Sequence, residues 1–230
     1  MRQNYSLLTY SVEILAVIVG LLTYQKYRST TAKYFILFLI YVLTLEIIGY
    51  YPTFFKNRGL WQIISNTVFE KNYWFYTLFW SIGSALFFIF YYRKILKSKL
   101  YKSILKYAGL IFLLSAFANI IIDKDSFFRT DLIFLAIGNL VVILLCVVLY
   151  FVEVLMTDRV LLFYKSLNFY ISLTILIWWF VITPITFYEI YFSNADWSFV
   201  ILKWQIKLLA NIFMYLTFSL ALLLCKPQNL

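Results

Sequence analysis

The sequence consists mainly of long apolar runs separated by short charged segments. Seven runs are about 20 residues long, the length that a helix needs to cross a hydrocarbon core of roughly 30 Å. They cover residues 5–24, 34–55, 73–92, 103–122, 132–152, 167–188 and 204–225. With 64% hydrophobic residues and a mean hydropathy of +0.86, the chain has too few polar side chains to cover a soluble surface. The pattern predicts an all-α integral membrane bundle of about seven transmembrane helices, forming one domain over residues 1–230.

Basic residues mark one side of the predicted bundle. They gather in the first, third and fifth connections and in the tail: Lys26, Arg28, Lys33, Arg93, Lys94, Lys97, Lys99, Lys102, Lys106, Arg159, Lys165 and Lys226. The opposite side is poorer in basic residues and holds Asp123, Asp125, Asp131 and Asp196. Because basic loops stay in the cytoplasm, we expect a multi-pass protein of the cell (inner) membrane with its N-terminus outside and its C-terminus cytoplasmic.

The second connection, residues 56–72, is the longest and falls on the predicted outer side. Leu60, Trp61, Ile64 and Val68 would share one face of a helix. The segment is therefore either a short interfacial helix lying on the membrane or an ordinary ordered loop.

Composition excludes several functional classes. The net charge of +10 comes from residues beside helix ends, where it sets topology and contacts anionic lipid, and no nucleic-acid-binding module is present. The chain has no His and two Cys, Cys146 and Cys225, both in apolar runs. His-based acid–base catalysis is excluded, and soft ligands for zinc or haem are too few. We therefore predict no enzyme activity, cofactor, metal site or nucleic-acid partner, and a first run that is retained rather than cleaved as a signal peptide.

Ionisable residues inside the runs are the strongest functional signal. Each costs on the order of 2.5–3.5 kcal/mol or more at mid-helix, so such residues usually face the bundle interior or a wet cavity. With the expected orientation, most lie in the outer half of the membrane. They predict an outward-facing pocket for a small polar or zwitterionic ligand or a cation, built by Glu13, Glu46, Asn139, Glu189, Lys207 and Asn211. Alternatively, Glu13 and Glu46 pair with Lys207, or with Tyr hydroxyls and Asn amides, and only fix helix packing.

Two further features bear on mechanism. In the fifth run, Asn139, Cys146, Tyr150 and Glu153 share a face that reaches the cytoplasmic end. In the sixth, Pro184 lies between Thr183 and Thr186, whose hydroxyls can satisfy the backbone groups that the proline leaves without a partner.

Short motifs spread over most of the chain carry a resemblance to a known group. They are VEIL at 12–15, EIIG at 46–49, FYIS at 169–172 with Pro184, and NIFMY at 211–215. In these the chain resembles small seven-helix membrane proteins of Bacteroidota that are often encoded beside sensor histidine kinases. The resemblance implies a sensory role and carries over no site residues.

Three functions fit these patterns. The first is a receptor-like sensor with an outer pocket, read by a signalling partner at the basic inner loops. The second is a transporter or channel, for which Glu153, Tyr150 and Cys146 are the only sign of an inner polar half. The third is a membrane effector or accessory protein, for instance in antiviral defence, that acts by homo-oligomerisation or pore formation. The lipid bilayer is the one partner common to all three.

Overall fold

The chain folds into apolar helices joined by short connections. The computed structural model describes residues 2–130, 132–157, 163–188 and 197–227, and these contain no strand. The helices are α1 (Arg2–Tyr27), α2 (Ala32–Gly49), α3 (Tyr51–Asn57), α4 (Trp61–Ile64), α5 (Tyr73–Phe75), a π-helix (Tyr76–Ile82), α6 (Gly83–Ile95), α7 (Lys99–Ile122), α8 (Lys124–Arg129), α9 (Ile133–Leu155), a 3₁₀ turn (Phe163–Lys165), α10 (Leu167–Tyr188) and α11 (Trp197–Leu224).

Seven stretches of these described residues are long and apolar enough to cross a membrane, as the hydropathy pattern predicts. The sixth predicted run has the bounds of α10. The seventh begins earlier than predicted, since α11 starts at Trp197 and its apolar span at Phe199, so Lys203 lies inside the helix rather than before it. A lysine near a helix end can extend its ammonium toward water while its stem stays in an apolar environment. The N-outside orientation remains a prediction.

Two spans depart from a simple helix. The second consists of α2 and α3, which are separated by Tyr50. The third begins as α5, widens into the π-helix and continues as α6. In the loop over residues 56–72, helical structure after α3 is limited to the single turn of α4, with Ile64 as its buried residue. Whether this turn lies on the membrane stays a prediction.

The contacts divide the chain into two compact units. The terminal unit comprises Met1–Leu39 and Val154–Leu230, and the central unit comprises Ile40–Glu153. In the terminal unit α11 packs against both α1 and α10. Phe35 meets Phe218 edge to face there, with ring centroids 4.9 Å apart. The prediction of one domain over 1–230 is neither supported nor contradicted by this division.

Within the central unit α6 packs closely on α7, and small residues permit the approach. The buried face of α7 contains Gly109 and Ala116. A Cβ added to Gly109 would lie 2.8 Å from Ile89 Cδ1, so only glycine fits this approach without a shift. The opposite face of α7 exposes large apolar side chains, among them Ile111 and Leu114. Such a surface is typical of a helix whose outer face contacts lipid.

Candidate functional site

Glu46 in the last turns of α2 is bound by a tyrosine of the third span. The Tyr76 hydroxyl donates a hydrogen bond of 3.1 Å to Glu46 Oε2. The Glu46 side chain is half-buried, so one oxygen can be held by Tyr76 while the residue keeps some accessible surface. A tyrosine hydroxyl is the kind of partner that the packing interpretation expects, and a ligand site at Glu46 stays a prediction.

Tyr76 is also the first residue of the π-helix, Tyr76–Ile82. Such wide turns occur mostly as single insertions in α-helices, frequently at functional sites. A second tyrosine from α2 reaches the same segment, since the Tyr41 hydroxyl donates to the carbonyl of Phe79 at 2.6 Å. Two tyrosine hydroxyls, one from α2 and one from the third span, therefore connect α2 to the π-helix.

Two glycines make room for these phenols. A Cβ on Gly49 of α2 would lie 2.5 Å from the Tyr76 hydroxyl oxygen. A Cβ on Gly83, the first residue of α6, would lie 2.6 Å from the Tyr41 hydroxyl oxygen. The arrangement is reciprocal, because α2 and the third span each contribute one tyrosine and one glycine. Any larger residue at either glycine would displace a phenol from its hydrogen bond.

The loop over residues 56–72 is attached close to the same glycine of α2. The Asn72 side-chain amide donates to the carbonyl of Gly49 at 2.7 Å. The Tyr51 hydroxyl reaches the carbonyls of Phe69 and Lys71 at 2.8 and 2.7 Å. It also accepts a 3.2 Å bond from the indole of Trp74. These contacts hold the end of the loop against the start of α3.

We call Glu46, Gly49, Asn72 and Tyr76 the Glu46 cluster. It combines a carboxylate, a phenol and a side-chain amide at the junction of α2, the loop over residues 56–72 and the π-helix. These groups offer both acceptors and donors to a small polar molecule or cation.

Asn139, a second predicted site residue in the central unit, also contacts the third span. Its side chain on α9 is buried, and the Ser84 hydroxyl lies 3.5 Å from Asn139 Oδ1 in a long hydrogen bond. Ser84 directly follows Gly83 in the sequence. Glu46 thus contacts the third span at the first residue of the π-helix, and Asn139 contacts it two residues after the π-helix ends.

Three predicted site residues lie in the terminal unit. Glu13 on α1 is buried and Lys207 on α11 is half-buried. The Oδ1 atom of Asn211 accepts a 2.9 Å hydrogen bond from the indole of Trp178, which links α10 to α11. Glu189 lies outside the described residues. A pocket that draws on all six residues therefore remains a prediction.

At the other end of the third span, Glu153 has a definite structural role. Its carboxylate is 7% exposed and accepts the backbone N–H of Lys97 at 2.8 and 3.0 Å and that of Ser98 at 2.9 Å. Ser98 in turn caps α7, since its Oγ accepts from the N–H of Tyr101. A negative charge is stabilised at a helix N-terminus, where the peptide dipoles point their positive ends. An inner polar path at Glu153 stays a prediction.

Pro184 interrupts the hydrogen-bond pattern of α10, as expected. The Thr183 hydroxyl donates to the carbonyl of Trp179 at 2.6 Å. The carbonyl that the proline deprives of its N–H partner belongs to Phe180, four residues before it. The Thr183 hydroxyl therefore binds the carbonyl of Trp179 and not that of Phe180, the carbonyl that loses its backbone partner.

Sequence reasoning proposed Glu46 and Asn139 as site residues, which stays a prediction, and did not single out their neighbours Tyr41, Tyr76, Gly49 and Gly83. The third run carries no charge, and its tyrosines resemble ordinary apolar residues of a span. Among the described residues, no group of three His, Cys, Asp or Glu side chains could hold a metal ion. The absence of a metal or cofactor from the protein remains a prediction.

Comparisons with known proteins do not assign the chain to a family. No family model matches the sequence, and no curated protein or solved structure matches it. The resemblance to sensor-associated proteins of Bacteroidota stays a prediction. Function is therefore inferred from the side-chain contacts of the chain itself.

Proposed function

We propose that this multi-pass membrane protein is a receptor-like sensor that binds a small polar or cationic ligand at the Glu46 cluster. The observation that carries the proposal is the hydrogen bond from Tyr76 to Glu46. It joins an ionisable group near the outer loop to the first residue of a π-helix in another span. A ligand that takes up the Glu46 carboxylate competes directly with Tyr76 and so acts on the π-helix.

The π-helix supplies a step by which binding changes the helix. Each hydrogen bond of a π-helix spans one residue more than a hydrogen bond of an α-helix. Conversion of the π-helix to α-geometry therefore shifts the residues after it by one position, which is a rotation of roughly 100°. The rotating part would be α6, which ends at Ile95 and leads into Leu96–Lys97–Ser98. The last two of these residues are held by Glu153. Movement of α6 would therefore reach the connection to α7.

The output surface is the basic connection around that point. Arg93, Lys94, Lys97 and Lys99 are all exposed there. Only three residues, Leu96–Lys97–Ser98, separate α6 from α7, so the connection is too short to fold on its own. A separate cytoplasmic or membrane signalling partner must read its position, and an acidic surface on that partner would fit the charge.

The first test maps water access from each side of the membrane. Single cysteines are placed at Glu13, Glu46, Asn211 and Glu153 in a background that lacks Cys146 and Cys225. In intact cells, a membrane-impermeant thiol reagent added outside should label the cysteines at Glu13, Glu46 and Asn211. It should not label the cysteine at Glu153. Gln62, exposed in the outer loop, is the positive control, and Leu105, fully buried, is the negative control.

Labelling of the cysteine at Glu153 from outside would indicate a through-path and favour a transporter or channel. Depolarisation of cells on expression of the unmodified chain would instead favour a pore-forming effector. Either result contradicts the receptor proposal.

The second test asks whether the Glu46 cluster is coupled to the basic connection. Tyr76→Phe removes the hydroxyl and keeps the ring, and Gly49→Ala displaces it sterically. Because a lost hydrogen bond of about 1 kcal/mol corresponds to roughly a fivefold population change, we expect amide exchange at Lys97 and Ser98 to change about fivefold in nanodiscs. Tyr107→Phe, on an exposed face of α7, is the matched control and should have no effect. Unchanged exchange in both cluster variants would refute the coupling.

A further inference from the structure

A groove opens in the terminal unit where α10 begins and α11 ends. Its volume is about 380 Å³. This lies within the range of roughly 300–1,000 Å³ that is common for small-molecule sites. The side chains that define its chemistry are Lys165, Tyr170, Thr217, Leu220, Leu224 and Lys226.

The groove has a charged end and an apolar wall. Lys165 closes the 3₁₀ turn before α10, and Lys226 follows α11, so the two exposed ammonium groups flank the groove. Leu220 and Leu224 are one helical turn apart on α11, and both are strongly exposed. Two cations beside an exposed apolar stripe match an anionic amphiphile.

A third lysine nearby is already engaged by the backbone. Lys26 Nζ donates to the carbonyls of Leu222 and Leu223 at 3.2 and 2.9 Å. The negative end of α11 is therefore partly compensated by Lys26. Lys165 and Lys226 are the two cations among the residues that line the groove, and both are exposed.

We propose that this groove binds one anionic phospholipid of the adjacent leaflet, independently of any ligand at the Glu46 cluster. The phosphate lies between Lys165 and Lys226, and an acyl chain follows Leu224 and Leu220. Basic pockets between transmembrane helices on the cytoplasmic side are typical sites for anionic headgroups.

The test uses the full chain in nanodiscs and measures retained lipid by native mass spectrometry. Phosphatidylglycerol is compared with phosphatidylcholine as the probe lipid. The double variant K165Q/K226Q should bind phosphatidylglycerol roughly 30-fold more weakly, since each lysine near the surface contributes about fivefold. The matched control K56Q/K124Q removes two exposed lysines of the central unit and should bind like the unsubstituted chain.

A second variant tests the apolar wall. Leu220→Trp fills the groove at a side chain that is 57% exposed, so the fold should tolerate it. It should weaken phosphatidylglycerol binding several-fold while thermal unfolding in phosphatidylcholine stays unchanged. Equal binding by K165Q/K226Q, an equal loss in K56Q/K124Q, or no effect of Leu220→Trp would each overturn the proposal. So would displacement of the lipid by glycerol 3-phosphate as readily as by phosphatidylglycerol, since that identifies a site for free anions.

Discussion

Each unit holds the end of one helix with a charged side chain from another span, but the two charges have opposite signs. In the central unit Glu153 of α9 binds the backbone N–H groups of Lys97 and Ser98 at the N-terminus of α7. In the terminal unit Lys26 of α1 binds the carbonyls of Leu222 and Leu223 at the C-terminus of α11. Both signs match the helix dipole, positive at its N-terminus and negative at its C-terminus.

The two contacts differ in burial. Glu153 is buried, and the hydrogen bonds that its carboxylate accepts from Lys97 and Ser98 are partly buried. Lys26 is only half-buried, and it shares its task with the buried Tyr27, whose hydroxyl reaches the carbonyls of Leu222 and Cys225 at 3.0 and 2.7 Å. The same kind of cap should therefore matter more in the central unit, because a buried donor left without an acceptor costs more than an exposed one.

The largest effect is expected for Glu153→Ala. Removing the carboxylate leaves two backbone donors without their acceptor, so we expect a loss of about 3 kcal/mol of unfolding free energy. Glu153→Gln keeps one carbonyl acceptor and should lose roughly half as much. Unfolding in mixed micelles can be followed with a thiol-reactive dye, because Cys146 is fully buried in the folded chain.

The matched control for this prediction is Glu70→Ala in the loop over residues 56–72. Glu70 accepts one backbone N–H, that of Asn66 at 2.8 Å, at an exposed position. Its loss should cost less than about 1 kcal/mol. Equal destabilisation by the two alanine variants would show that burial does not set the strength of these caps.

The sequence predicts the spans better than it predicts these contacts. Hydropathy places seven spans because each needs enough apolar residues to cross lipid, and the bounds of 167–188 are those of α10. Polar periodicity places Glu153 on an inward face, yet it cannot show that the partners are the backbone of Lys97 and Ser98. A backbone N–H leaves no trace in the pattern of side chains.

The same reason hides the geometry around Glu46. That residue is conspicuous because a carboxylate in an apolar run is costly. Its partner Tyr76 is one of many tyrosines, and the role of Gly49 depends on a side chain that is absent. The run over residues 73–92 contains neither a charge nor a proline, so hydropathy and charge give no signal for the π-helix.

A smaller effect is expected in the terminal unit. Tyr27→Phe removes the hydroxyl and keeps the buried ring, and it should cost about 1–2 kcal/mol. Lys26→Met keeps the apolar stem without the ammonium and should cost less than about 1 kcal/mol, because the group is half-exposed and screened. The same dye-based unfolding measures both variants, with Tyr107→Phe as the control. A larger loss for Lys26→Met than for Tyr27→Phe would reverse the inferred order and assign the cap mainly to the charge.

The smallest effect is expected at Asp123, which repeats the chemistry of Glu153 at an exposed position. Asp123 Oδ1 accepts the N–H of Ser126 at 3.1 Å and caps the short α8. The hydrogen bonds from the side chain and the backbone N–H of Ser126 lower the pKa of the Asp123 carboxyl below its usual value. A group with a lowered folded-state pKa stabilises the fold above its unfolded pKa of about 3.9, and this contribution is lost as the pH falls through the folded-state pKa. Amide exchange at Ser126 should therefore lose protection a few-fold in acid relative to Asp123→Asn, which keeps an acceptor oxygen but cannot titrate. If the ratio of the two exchange rates stays constant between neutral pH and pH values near 2, the charge of Asp123 adds nothing to the cap, and burial alone explains why Glu153 differs from it.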